Sequence, residues 1–89
     1  MRRSYLEVTF RKGRPIAAYL YLPRPNGVKV ARTVEVRPQI QVDYSANGDP
    51  IGVELTAPAV VDVSALNAVL EQIGAPSLEA DDLKPLRAA

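Results

Sequence analysis

From Tyr5 onward the chain alternates. Leu6, Val8 and Phe10 are separated by Tyr5, Glu7, Thr9 and Arg11, the period-2 pattern of a strand with one dry face. After Lys12-Gly13-Arg14 the pattern resumes in Ile16, Ala18, Leu20 and Leu22. A three-residue loop would pair Phe10 with Ile16, Val8 with Ala18 and Leu6 with Leu20, keeping the apolar residues together; a slip of one would set Phe10 against Pro15 and spoil that face. Pro23-Arg24-Pro25-Asn26-Gly27 then breaks the pattern. Val28, Val30, Val34 and Val36 predict a third strand, and Ile40, Val42 and Tyr44 a fourth.

Alternation persists across Asn47-Gly48 into Ile51, Val53 and Leu55. A two-residue type I′ turn there pairs Tyr44 with Ile51, Val42 with Val53 and Ile40 with Leu55. After Thr56 the period changes. Val63, Leu66, Leu70 and Ile73 recur at helical spacing, with Asp62 or Ser64 available as cap and Gly74 and Pro76 as the stop. The expected architecture is α+β: an antiparallel β-meander of about five strands over residues 5–57, with a C-terminal helix over 62–74 packed on one face. Residues 77–89 form a tail in which Leu78 and Leu83 favour a second short helix, broken near Pro85. The whole chain of 89 residues reads as a single domain.

Composition narrows the chemistry. There is no His, Cys or Trp, which removes histidine bases, thiol nucleophiles and the usual structural zinc sites. No glycine-rich phosphate loop is present, and no cofactor is expected. No apolar stretch approaches the ~20 residues needed to span a bilayer, and Met1-Arg2-Arg3 leads straight into polar alternation, so neither membrane nor secretory signal is expected. The absence of cysteine is compatible with a cytoplasmic location. The net charge of +1 hides a division: nine basic residues against two acidic up to Pro38, a formal +7, and two against eight thereafter, a formal −6. The basic residues are spread along strands and turns, which favours halves that pack together, or copies that complement each other, over a nucleic-acid surface.

Two groups of residues share the polar side of the expected sheet. Glu35, Asp43 and Glu54 gather around Gln41 and could hold a hard divalent cation or serve acid–base chemistry, though solvated strand residues look the same. Tyr5, Tyr19 and Tyr21 with Ala17 form a semi-apolar aromatic patch flanked by Glu7 and Arg11. A C-terminal segment, a second copy or a foreign partner could cover it. Arg32 stands on the valine face opposite Tyr44, where its stem can rest on the ring.

The segment VARTVEVRPQIQVDYSANGDPIGVEL resembles the small bacterial domain-of-unknown-function family number 2283, in which a TVEV-like strand leads to a VDY strand, a Gly-containing turn and an IGIEI-like strand. Ala17-Ala18-Tyr19-Leu20-Tyr21-Leu22 is similar to that family's earlier DALYI-type strand, with Ile16 standing where the family has an Asp. The likeness covers roughly residues 5 to 57. It implies the meander and no reaction; that some members are encoded beside toxin-like partners implies an antitoxin-like partner role. The resulting expectation is no catalytic residue and no enzyme, but a protein-interaction module, a homodimer or the binder of a small protein partner, with Tyr5, Ala17, Tyr19 and Tyr21 as the interface. A carboxylate-based metal-binding domain or enzyme is the alternative, and a nucleic-acid binder comes third.

Overall fold

The computed structural model describes residues 4–25 and 27–84. Five strands, β1 (Tyr5–Arg11), β2 (Arg14–Tyr21), β3 (Arg32–Arg37), β4 (Ile40–Tyr44) and β5 (Pro50–Leu55), are followed by the helix α1 (Val63–Gln72). All pairings are antiparallel, and the order is β1-β2-β5-β4-β3. The α+β class and the five strands are as expected, but the meander is interrupted: β5 inserts beside β2 and sends β3 to the far edge. Strand chemistry accounts for this. β5 carries Glu54 as its one charge and is largely buried, whereas β3 has Arg32, Glu35 and Arg37 among six mostly exposed residues. Charged strands suit edges, where they discourage pairing with other chains.

The connection from β2 to β3 therefore passes the ends of two strands. It is anchored where the Leu22 N–H and Arg24 Nη1 both donate to the Ile51 carbonyl, at 3.2 and 3.1 Å, and where Ala31 N–H donates to Tyr44 O at 2.8 Å. Val28 and Val30 belong to this connection and not to a strand, a correction to the expected third strand; Val30 is 49% exposed.

All three hairpins carry a one-residue bulge, and the first and third depart from the expected turns. At β1–β2 a two-residue turn is made by Lys12 and Gly13, with φ of 53° and 77°, so Phe10 faces Pro15, and a bulge at Ile16 restores Thr9↔Ala17 and Val8↔Ala18. At β3–β4, Pro38-Gln39 turns the chain with Gln39 at φ 68°, which fits a type II turn. There Arg37 faces Ile40, and a bulge at Val36 restores Glu35↔Gln41. At β4–β5 the loop is Ala46-Asn47-Gly48: Ser45 O accepts from Gly48 N–H, Ser45 N–H donates to Asp49 O, both at 2.9 Å, and Gly48 alone takes positive φ, 86°. That is a three-residue loop closed by a left-handed glycine, not a type I′ turn. Tyr44 faces Pro50, and Ile51 is the extra residue that restores Asp43↔Gly52. Each turn follows its local chemistry and each strand its dry face. A one-residue bulge reconciles the two.

The dry face is closed by α1. Ala18, Leu20, Leu22, Ile40, Val42, Val53 and Leu55 from the sheet bury with Leu66, Val69 and Leu70 from the helix, and Leu6, Val8, Val36 and Tyr44 pack around them. Asp62 caps α1, its Oδ1 accepting from Ser64 N–H at 3.1 Å. At the other end Gly74, at φ 76°, donates to Glu71 O and Ala75 N–H to Leu70 O, the paired bonds of a Schellman stop. Asn67 then holds the following segment by two 2.8 Å bonds, Nδ2 to Leu78 O and Leu78 N–H to Oδ1. The expected second helix is a single 3₁₀ turn, Ala80–Leu83; Pro85 and Leu86 lie outside the described residues. The Arg32 guanidinium stands 4.6 Å from the centre of the Tyr44 ring, as its register predicts.

Candidate interaction surface

Side chains alternate across a strand, so the face away from α1 is set by the register. Two rows of five cross the sheet. One runs Tyr5, Tyr21, Gly52, Asp43, Thr33; the next runs Glu7, Tyr19, Glu54, Gln41, Glu35. The aromatic patch and the three carboxylates named from the sequence therefore lie on one surface, with the tyrosines toward β1 and the acids toward β3.

Tyr19 ties the rows together. Its hydroxyl donates to Asp43 Oδ2 at 2.7 Å, reaching from β2 to β4 across the intervening β5. It can do so because the strand between carries glycine: a Cβ at position 52 would fall 1.8 Å from the Tyr19 Oη and 2.2 Å from Cζ. Thr33 Oγ1 donates to the other carboxylate oxygen, Oδ1, at 2.5 Å. Both oxygens of Asp43 thus accept charge-assisted bonds. The Tyr21 hydroxyl donates to Glu7 Oε1 at 3.2 Å.

The rings also order one another. Tyr5 and Tyr21 stack with centroids 4.4 Å apart and planes at 14°, and Tyr19 meets Tyr21 edge-on at 4.7 Å, both favoured geometries for aromatic pairs. The Arg24 guanidinium lies 5.3 Å from the centre of the Tyr21 ring. Tyr5 is 51% exposed, while Ala17, Tyr19 and Tyr21 are half-buried. Of the four residues expected at an interface, then, Tyr19 and Tyr21 have internal bonds to keep, and Tyr5 offers the most accessible ring.

The carboxylates do not converge. Asp43 is engaged by two hydroxyls, and Glu35 and Glu54 lie on opposite sides of Gln41. Among the described residues no three His, Cys, Asp or Glu side chains come together as a group able to hold a metal ion. Sequence reasoning found the residues of this surface but missed the role of Gly52 and the bonds that Tyr19 and Thr33 donate to Asp43. A meander would have put β3, not the glycine-bearing β5, between β2 and β4, so only the strand order shows it.

Burial, and then donation to Asp43, pushes the Tyr19 pKa well above the ordinary tyrosine value of about 10. Tyr21 shifts the same way, chiefly through its bond to Glu7. A folded-state pKa above the unfolded one means that the native protein holds the proton more tightly. Stability from this source is complete below about pH 10 and is lost as pH rises above it. Urea unfolding across the alkaline range should show that decline, and Tyr19→Phe should make it shallower. An equal slope in the variant would show that the Tyr19 hydroxyl is not held as described.

Among the described residues no helix is long and apolar enough to cross a membrane. No curated protein and no solved structure matches the chain. The stretches that bear the family resemblance contribute Tyr19, Asp43, Gly52 and Glu54 to this surface, and Ile16 is the 46% exposed residue of the first bulge. Residues 17–57, from β2 to just past β5, match the model of the family described as "Protein of unknown function (DUF2283)", the family that the central pattern of the chain resembles.

Proposed function

We propose that the protein is a non-enzymatic interaction module of the cytoplasm that self-associates with Tyr5, at the border of its tyrosine-bearing face, in the contact, and that presents that face to a small protein partner, of the antitoxin type or another. The observation that carries this reading is the division of the sheet. The helix closes the valine and leucine face, while the opposite face keeps an ordered cluster of three rings with Tyr5 half exposed and a rim of Glu7, Glu54 and Arg24. An aromatic centre with a charged rim is the usual anatomy of a protein interface. Rings already fixed by stacking and hydrogen bonds lose little freedom on binding. Four carboxylates on the same face, Glu7, Glu35, Asp43 and Glu54, oppose the approach of a phosphate chain and weigh against nucleic acid.

Sedimentation equilibrium tests the reading. The unmodified protein should exceed the monomer mass at high micromolar concentration, with a near-ultraviolet tyrosine circular dichroism signal that changes over the same range because Tyr5 lies in the contact. A monomer throughout, with a constant tyrosine signal, would contradict self-association.

A further inference from the structure

The outer edge of β1 is unpaired among the described residues, and its backbone parity can be worked out. Leu22 N–H donates to Ile51 O, so in β2 the even-numbered residues Leu22, Leu20 and Ala18 turn their backbone groups toward β5. Directions alternate along a strand, and Tyr21, Tyr19 and Ala17 therefore turn toward β1. Their partners Tyr5, Glu7 and Thr9 use their backbone groups inward. Leu6, Val8 and Phe10 are left presenting N–H and C=O to the open edge. The bulge of this hairpin lies at Ile16 on β2, so β1 itself keeps a regular edge.

We propose that a second copy of this chain pairs with this edge, β1 against β1, antiparallel about a two-fold axis through Val8, to make one continuous ten-stranded sheet. The proposal rests on the reading that the protein self-associates, and it says where the second copy sits. The strand complements itself in that register. On the helix side, Val8 meets Val8 and Phe10 meets Leu6 of the second copy, covering a phenyl ring that is 47% exposed in the monomer. On the tyrosine side, Arg11 of the second copy lies opposite Tyr5, where it can rest on the ring, and diagonally beside Glu7 as an opposite charge. Three backbone pairs, Leu6–Phe10, Val8–Val8 and Phe10–Leu6, then satisfy the outward groups of both strands.

Two alternatives fit less well. Pressing the tyrosine faces together would set Glu7, Glu35, Asp43 and Glu54 against the same four acids of the other copy. The outer edge of β3 carries Arg32, Glu35 and Arg37 exposed within six residues, the kind of charged edge that resists pairing. Edge pairing at β1 sets the two tyrosine faces side by side on one surface and leaves both accessible.

A charge swap measured by sedimentation equilibrium on the full chain decides between these arrangements. Glu7→Arg places like charges beside Arg11 of the second copy, and Arg11→Glu does so beside Glu7; each occurs twice in a symmetric dimer. Each single change should weaken the dimer by about tenfold, and Glu7→Arg with Arg11→Glu together should restore it to within about twofold. Far-ultraviolet circular dichroism verifies that all variants are folded. A dimer equally stable in all four proteins, or one abolished by Ala17→Glu, which lies on the face and away from this edge, would overturn edge pairing while leaving self-association intact. A monomeric unmodified protein would overturn both.

Discussion

Gly52→Ala should destabilise the domain by about 2 kcal/mol, although alanine is ordinarily the better strand residue. Replacing an interior glycine by alanine normally gains about 0.5–1 kcal/mol from chain entropy. Here the new Cβ would occupy the space of the Tyr19 ring, 1.8 Å from its Oη, so the ring must leave. Leaving breaks the bond to Asp43, a hydrogen bond to a charged group worth about 1.5–3 kcal/mol, and the edge-on contact with Tyr21. The net sign is a loss. A double-mutant cycle identifies the cause: with Tyr19→Ala already present, Gly52→Ala should be neutral or slightly stabilising, giving a coupling of about 2 kcal/mol. Equal destabilisation in both backgrounds, measured by urea midpoints, would mean that Tyr19 does not cross β5 at this residue.

Leu66→Ala is the second large effect, an expected loss of about 3 kcal/mol. Leu66 is fully buried between α1 and the sheet, in one cluster with Leu20, Val42, Val53 and Leu55. Truncating such a residue removes transfer free energy and leaves a cavity, together about 2–5 kcal/mol. A small domain has only about 5–15 kcal/mol in total, so the variant should melt far earlier. Gln72→Ala, at the exposed end of the same helix, should change stability by less than about 0.5 kcal/mol. A loss below about 1 kcal/mol for Leu66→Ala would place the helix elsewhere than on the dry face.

Much of this architecture is legible in the residues because burial imposes a period. Ala18, Leu20, Val42, Val53 and Leu55 sit on one face as their alternation demands, and Asp62 and Gly74 bound the helix as their cap chemistry demands. The register Glu7↔Tyr19, Thr33↔Asp43 and Gln41↔Glu54 follows from the same constraint. Turn types did not follow, because alternation fixes the parity of a loop only if no bulge intervenes, and here one intervenes in every hairpin. The strand order was hidden for a different reason. Neighbours along the chain are the default partners, and the competition between β3 and β5 for the central place turns on how their charges are solvated. That choice brings Tyr19 to Gly52 and Asp43, so the geometry of the surface was out of reach even though Tyr5, Ala17, Tyr19 and Tyr21 were found. Asn67 shows the limit of helical periodicity: its position predicts a solvent-facing residue, and it instead ties down Leu78.

The central claim is that this domain self-associates at the sheet edge that borders its unclosed tyrosine face, and amide hydrogen exchange at low and high micromolar concentration tests it most directly. In the monomer, the N–H groups of Glu7 and Thr9 turn toward β2 and should exchange slowly at either concentration. Those of Leu6, Val8 and Phe10 turn outward and should exchange fast when dilute. Concentrating the protein should slow Leu6, Val8 and Phe10 to the pace of their neighbours and erase the alternation along β1. If the three outward amides exchange as fast in concentrated as in dilute solution, and no other residue on the tyrosine side slows, the domain does not pair with itself and the account is contradicted.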